Sequence, residues 1–201
     1  MFRELLARKL AGVTELNDRQ LAALEFHYEL LVRWNRKLNL TAIADLEEAV
    51  ERHYCESVFL AAHLPGEHLR MADVGSGAGF PGIPVAVVRP DCEIALIESH
   101  RRKAVFLREA ARKLSNLRVV AMRAEEVNEQ FDRVVSRAVS YEDLAGILKQ
   151  LAPAADLLTG AEEPPELLGF RWGEPLRLPW GRNRFLRCGV RIDVSRETVS
   201  T

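Results

Sequence analysis

Asp73, Gly75, Gly77 and Gly79 are spaced two residues apart within 73–84, "DVGSGAGFPGIP", which holds four glycines and two prolines in twelve positions. Glycine and proline disfavour the interiors of helices and strands, and an ordinary turn needs only one or two of them. Six together, between the apolar runs "LRMADV" and "VAVV", point to a loop that lets a ligand approach the main chain. A helix opening after such a loop aims free N–H groups and its positive dipole end at that ligand. Pro81 and Pro84 fit a first helical turn, where the missing donor costs little. A dinucleotide fingerprint would read G-x-G-x-x-G, but its third glycine position is Phe80. The Asp73 carboxylate would also repel a pyrophosphate and suit a cationic ligand. Glu98, closing the run "EIALIES", offers two carboxylate oxygens that can accept from both hydroxyls of a ribose.

These residues need elements to hold them. From Asn17 the pattern is helical, with Leu21, Leu24, Tyr28, Leu31 and Leu38 at steps of three, four and seven, and Asn17 with Gln20 reads as a capping box. A second helical stretch runs from about Leu46 to Leu64, opened by Asp45 and ended by Pro65 and Gly66. Short apolar runs follow: "LRMADV", "EIALIE", "LRVVAM", "FDRVVS" and "AADLLTG". Helical segments at Pro84–Val88, Arg101–Leu114 and Asp143–Leu151 lie between them; "RAEEVNEQ" is too short to assign. Strands alternating with helices read as βαβ units and a parallel sheet covered on both faces. Beyond Gly160, "GFRW" and "RFLRCGVRID" suggest an antiparallel pair, and "AEEPPE" (161–166) a surface loop. Residues 1–66 are therefore expected to form a helical extension packed on a domain of residues 67–201.

The bulk numbers narrow the classes. A chain of 201 residues with 48% apolar residues can bury a continuous core without a metal or disulfide staple. Cys55, Cys92 and Cys188 are odd in number and far apart, which argues against a disulfide framework and a zinc site and suits a reducing cytosol. Arg3, Glu4, Arg8 and Lys9 break any signal-peptide core, and no apolar run approaches the ~18 residues of a membrane span. A cytoplasmic protein without membrane or metal is expected. The net charge of -1 leaves only local patches as evidence for a nucleic-acid partner. Such patches are "RWNRK" (33–37, with Trp34 offering a stacking surface), "RRK" (101–103), "RK" (112–113) and "RNR" (182–184).

The Asp-x-Gly-x-Gly-x-Gly pattern resembles the first motif of class I methyltransferases, which bind S-adenosylmethionine. With "GFPGIP", "LIES", "RAEE", "SRAV", "NLTAI" (39–43) and "HYCES" (53–57) in order, residues 20 to 150 resemble the bacterial 16S ribosomal RNA guanine-N7 methyltransferase G family (glucose-inhibited division protein B). That resemblance implies a Rossmann-like, mostly parallel seven-stranded sheet with an antiparallel last strand. It implies cofactor contacts at the positions of Gly75, Phe80, Ala124, Glu125 and Arg137, and a small-subunit rRNA substrate. Departures are "LLTG", with Thr159 where the family has Lys, and a tail from Ala161 that fits poorly.

Guanine N7 carries a lone pair and no proton, so its methylation needs no obligatory general base and rests on alignment. An arginine reading both O6 and N7 would block the attacked atom, so the base must be recognised elsewhere or by stacking. It must also leave any stack to reach a buried methyl. His53, Asn39 and Arg137 are the substrate-side candidates, Arg137 because it ends the fourth strand on the sheet's ligand edge. A small-molecule methyltransferase and a non-catalytic, ribosome-associated cofactor binder remain the alternatives. A monomer is expected.

Overall fold

The computed structural model describes residues 1–165 and 169–192. Glu166, closing the "AEEPPE" loop, and Asp193, closing "RFLRCGVRID", lie outside them, as does the end of the 67–201 domain.

The helical third opens with α1 (Phe2–Leu10), an element absent from the sequence reading, whose Phe2, Leu6 and Leu10 turn inward. Next comes α2 (Asp18–Leu38), which has the expected capping box: Asn17 accepts from the Gln20 amide while Gln20 accepts from the Asn17 amide. The stretch from Leu46 is one continuous rod, α3 (Leu46–Ala49), a π-helical segment Val50–Cys55 and α4 (Glu56–His63).

Then the sheet begins. Strands β1 (Arg70–Val74), β2 (Glu93–Ile97), β3 (Leu117–Val120), β4 (Arg133–Arg137) and β5 (Ala154–Thr159) are mutually parallel where they pair. They are joined through α5 (Gly82–Val88), α6 (Arg101–Ala111), a 3-10 turn Ala124–Glu126 and α7 (Tyr141–Leu151). The tail adds β6 (Phe170–Trp172), β7 (Leu176–Arg177) and β8 (Phe185–Arg191). The order is β3-β2-β1-β4-β5-β8-β6, with β8 antiparallel to β5. This is the Rossmann-like, seven-strand path that the family resemblance implies, plus one strand: two-residue β7 also pairs with β8, making eight.

Alternation along the strands divides the core. Met71, Ile94, Leu96, Val135 and Leu158 face α1, α2, α4, α5 and α6, whereas Ala72, Val74, Ala95, Val134 and Leu157 face α7. "RAEEVNEQ" makes only the 3-10 turn, so the second face is more thinly covered. Because β1 to β4 are parallel, the residues after each strand meet on one carboxyl edge. The strand order reverses between β1 and β4, where open α/β sheets bind ligands.

One buried side chain ties the helical third to that edge. His27, on the inner face of α2, is within hydrogen-bond distance of the Ala78 carbonyl through Nε2 (2.9 Å) and of the Tyr54 hydroxyl through Nδ1 (3.1 Å). The carbonyl can only accept, so Nε2 carries the proton and the Tyr54 hydroxyl donates to Nδ1. Burial pushes the His27 imidazole down to about 4. Below its ordinary value the unfolded chain takes up a proton that the native state refuses, so stability falls as pH drops from 6.5 towards 4. His27→Gln keeps a donor and an acceptor and does not titrate. Urea unfolding between pH 7.5 and 4.5 is expected to show a shallower acid loss in the variant, by on the order of 3 kcal/mol. Asp73, which burial pushes up to about 7, favours folding on acidification and is common to both proteins. An unchanged acid slope would contradict the assignment.

Candidate functional site

The carboxyl edge opens into a cavity of about 910 Å³ between the loops after β1, β4 and β5, the segment Leu40–Ile43 and the π-helical turn. Its floor is the glycine loop. Gly75, Gly77 and Gly79 all take positive φ (72°, 55° and 89°), a conformation costing other residues roughly 1–2 kcal/mol each. At Gly75 a Cβ would also stand 2.6 Å from the Val139 side chain, on the loop after β4. Only glycine leaves that approach open.

The loop is shaped from beneath. Glu98 accepts from the Gly77 amide at 2.9 Å and from the His100 amide at 2.7 Å, and is almost wholly buried. Asp73 is fully buried and its Oδ2 accepts from the Gly82 amide at 3.0 Å, at the start of α5; Oδ1 has no partner. Neither carboxylate lines the cavity. Asp73, read from the sequence as a group facing the ligand, thus sits one layer below it. Glu98 stands beside the loop with lone pairs to spare, since a carboxylate offers about four acceptor sites. Ala124 and Glu125 follow β3 on the same edge, outside the cavity wall, Ala124 buried and Glu125 exposed.

Phe80 forms the inner wall. His53 stacks on it with ring centroids 4.5 Å apart and planes 15° off parallel. Tyr54 meets it edge-on at 5.1 Å, and the Arg137 guanidinium lies 5.1 Å from its centroid. The π-helical turn places this layer. Wider winding, typical of functional sites in helices, points His53 into the cavity and leaves the Arg52 carbonyl to accept from Arg137 Nη1 at 2.5 Å. His53 Nε2 contacts the Thr41 hydroxyl at 2.8 Å, and buried Nδ1 has no partner. Burial, then the nearby Arg137 charge, pushes the His53 imidazole down to about 3, so it is neutral at working pH. Burial lowers Arg137 to about 10, which still leaves it a cation. Ala138, next in the chain, is strained at φ 59° in the cavity wall.

Asn39 is not brought to the site. It caps α2 at φ 20°, exposed, while its neighbours Leu40 and Thr41 line the wall, held by Asn35. Sequence reasoning also passed over Arg52, Glu56 and Arg184. Arg184 donates to Glu56 from Nε (2.9 Å) and Nη2 (2.7 Å), and Arg52 lies 3.2 Å from the same carboxylate. Both arginines line the cavity with Arg137, and Glu56 beneath is fully buried. Glu56 stood in "HYCES" and Arg184 in "RNR", but nothing in their spacing links two residues so far apart. Among the basic clusters, "RWNRK" and "RRK" are neighbours, since Arg102 donates to the Lys37 carbonyl at 3.3 Å. Trp34 is half-buried and packs edge-on against Phe106. Arg112 and Lys113 lie over Phe26.

A carboxylate that balances several arginines is costly to remove. Glu56→Ala is expected to lose about 3–5 kcal/mol of stability in urea unfolding, because it leaves paired charges uncompensated. A loss below 1 kcal/mol would show that solvent, and not Glu56, neutralises the cluster.

The family described as rRNA small subunit methyltransferase G matches residues 20–158. A protein of Chromobacterium violaceum named ribosomal RNA small subunit methyltransferase G is 45% identical over 130 residues, 63% of this chain and 62% of the relative. One of the same name from Dichelobacter nodosus is 41% identical over 158 residues, 76% of this chain and 74% of the relative. A solved structure described as a SAM dependent methyltransferase from Aquifex aeolicus superposes with a TM-score of 0.60 at 17% identity, covering 77% of this chain and 97% of that one, a likeness of fold.

Proposed function

We infer that this chain, which belongs to the rRNA small subunit methyltransferase G family, transfers a methyl group from S-adenosylmethionine to N7 of a guanine in 16S rRNA. The observation that carries the reading is the cavity at the β1/β4 reversal, floored by the glycine loop, where a side chain at Gly75 would meet Val139 of the cavity wall. We propose that it acts in the cytoplasm as a monomer on the small ribosomal subunit. Residues 1–66 would serve as an extension of the 67–201 domain.

The residues fit the cofactor. Gly75 and Gly77 leave main chain bare for its amino-acid end, and Glu98 lies one strand over for ribose hydroxyls. Ala124 and Glu125 follow β3, where an adenine would extend. Asp73 is proposed as a positioning residue: it holds the first amide of α5 and so the far end of the loop. Bound S-adenosylmethionine supplies an electrophilic methyl on a cationic sulfur.

Phe80 and Arg137, proposed cofactor contacts as well, form with His53 a layer against which a flipped base can rest. A base resting on this layer would present N7 with its lone pair free, so accepting the methyl would require no proton transfer by the chain's own residues. A neutral His53 with one ring nitrogen on Thr41 and the other buried suits that chemistry, because it shapes the wall without acting as a base. The chain's contribution is then mainly alignment, which can supply up to about 7–11 kcal/mol of the barrier.

Saturating S-adenosylmethionine should raise the melting temperature by several degrees, as ligand at about a hundred times its Kd adds roughly 2.7 kcal/mol. Gly75→Val should remove that shift while still unfolding cooperatively; a normal shift in the variant would place the cofactor elsewhere. With isolated small subunits and labelled cofactor, Arg137→Ala should cut transfer about a hundredfold or more. Its melting temperature should move by only a few degrees, although Arg137 also braces the Arg52 carbonyl. Wild-type turnover in that variant would reduce Arg137 to a structural residue.

A further inference from the structure

The arginine end of the cavity continues onto a surface that the reaction does not use. β7 and β8 are joined by the hairpin segment "LPWGRNR" (178–184), directly after Arg177. The Leu178 amide donates to the Arg184 carbonyl at 2.9 Å and closes it. Trp180 anchors it to the helical third: the indole N–H donates to the Lys9 carbonyl at 3.0 Å, and the ring meets Phe59 edge-on at 6.2 Å. Arg177, Trp180, Arg182 and Lys9 line an open groove of about 710 Å³, with Glu51, the ion-pair partner of Lys9, also in its wall. A Cβ at Gly181, in the groove, would stand 2.5 Å from Cγ of Arg184, in the cavity wall. Groove and cavity therefore meet at one tight turn.

The charges on this surface are unevenly committed. Lys9 is held by Glu47 and Glu51, each at 2.5 Å. Arg184 commits Nε and Nη2 to Glu56, which leaves Nη1 for the cavity. Arg177 and Arg182 are exposed, and neither guanidinium has a hydrogen bond or ion pair among the described residues. On a chain of net charge -1, two such cations on a braced hairpin are a local excess with a fixed position. Guanidinium forks of this kind match phosphate oxygens, and arginine is the usual choice where phosphates are gripped.

We propose that the Arg177–Arg184 hairpin is a phosphate track that seats the RNA backbone on its way to the cavity, with Arg184 at the inner end. The proposal rests on the rRNA methyltransferase reading and adds a surface to it. The hairpin lies beyond residues 20–158, so the family match does not reach it. Anchoring by Trp180 matters because cations on a rigid support lose less conformational freedom when they bind.

The test is the double variant Arg177→Gln/Arg182→Gln, bound to isolated small ribosomal subunits over a salt series. Each phosphate contact contributes about 0.7–0.9 to the slope of log affinity against log salt. The variant is expected to bind roughly tenfold more weakly at about 0.1 M salt, with a slope shallower by about 1.4–1.8. Its melting temperature and S-adenosylmethionine affinity should match wild type, since both side chains are exposed and unpartnered. A wild-type slope and affinity in the variant would overturn the track while wild-type methyl transfer left the functional reading standing. Failure of the wild-type protein to bind or methylate subunits would overturn both.

Discussion

Two hydrogen bonds from the Gly77 and His100 amides to the Glu98 carboxylate, and one from the Gly82 amide to Asp73, determine where the loop after β1 can run. His27 adds a third support by holding the Ala78 carbonyl from α2. Buried groups on β1, β2 and the helical third thus grip successive points of one short loop. This matters because the glycines between those points sit at positive φ, which a free chain would not hold uniquely. A binding loop helps a ligand only if its conformation is in place before the ligand arrives. The burial of Asp73 carries a cost, visible in its raised pKa, and the fixed start of α5 is what that cost maintains.

The same arrangement explains why the helical third belongs with the sheet. α1, α2 and α4 bury their apolar faces in the core that covers one face of β1, β2 and β4. Between α3 and α4, the π-helical turn carries Arg52 and His53 to the cavity, and Glu56, the first residue of α4, lies beneath it. The arginines there come from three places: the π-helical turn, the end of β4 and the hairpin before β8. Glu56 is what lets them sit together, since unpaired like charges in a half-buried wall would repel.

Much of this was legible beforehand. Strands and helices announced themselves by alternation and by step, and the loop by a density of glycine and proline that no other role explains. Boundaries shifted by one to three residues, as at Arg101–Ala111 against an expected end at Leu114. Other features were not legible for physical reasons. α1 is short and highly charged, and its apolar residues matter only once α2 is beside it. β7 is two residues long and exists because β8 offers it an edge. Asp73 could be read as near the loop, yet its depth depends on which face of β1 points towards α5. The Glu56–Arg184 pair spans chain segments that meet only through the antiparallel return of β8. Asn39 stands where the sequence ends the first long helix, and the structure has it there as the exposed C-cap of α2.

The proposed reaction is methylation of N7 of a guanine in small-subunit rRNA. The most direct measurement is to map 7-methylguanine in 16S rRNA from cells lacking the gene and from cells in which it is restored. The expected result is that a single 7-methylguanine disappears on deletion and returns with the wild-type gene. If every 7-methylguanine persisted without the gene, the proposed reaction would be contradicted, whatever the protein's affinity for S-adenosylmethionine.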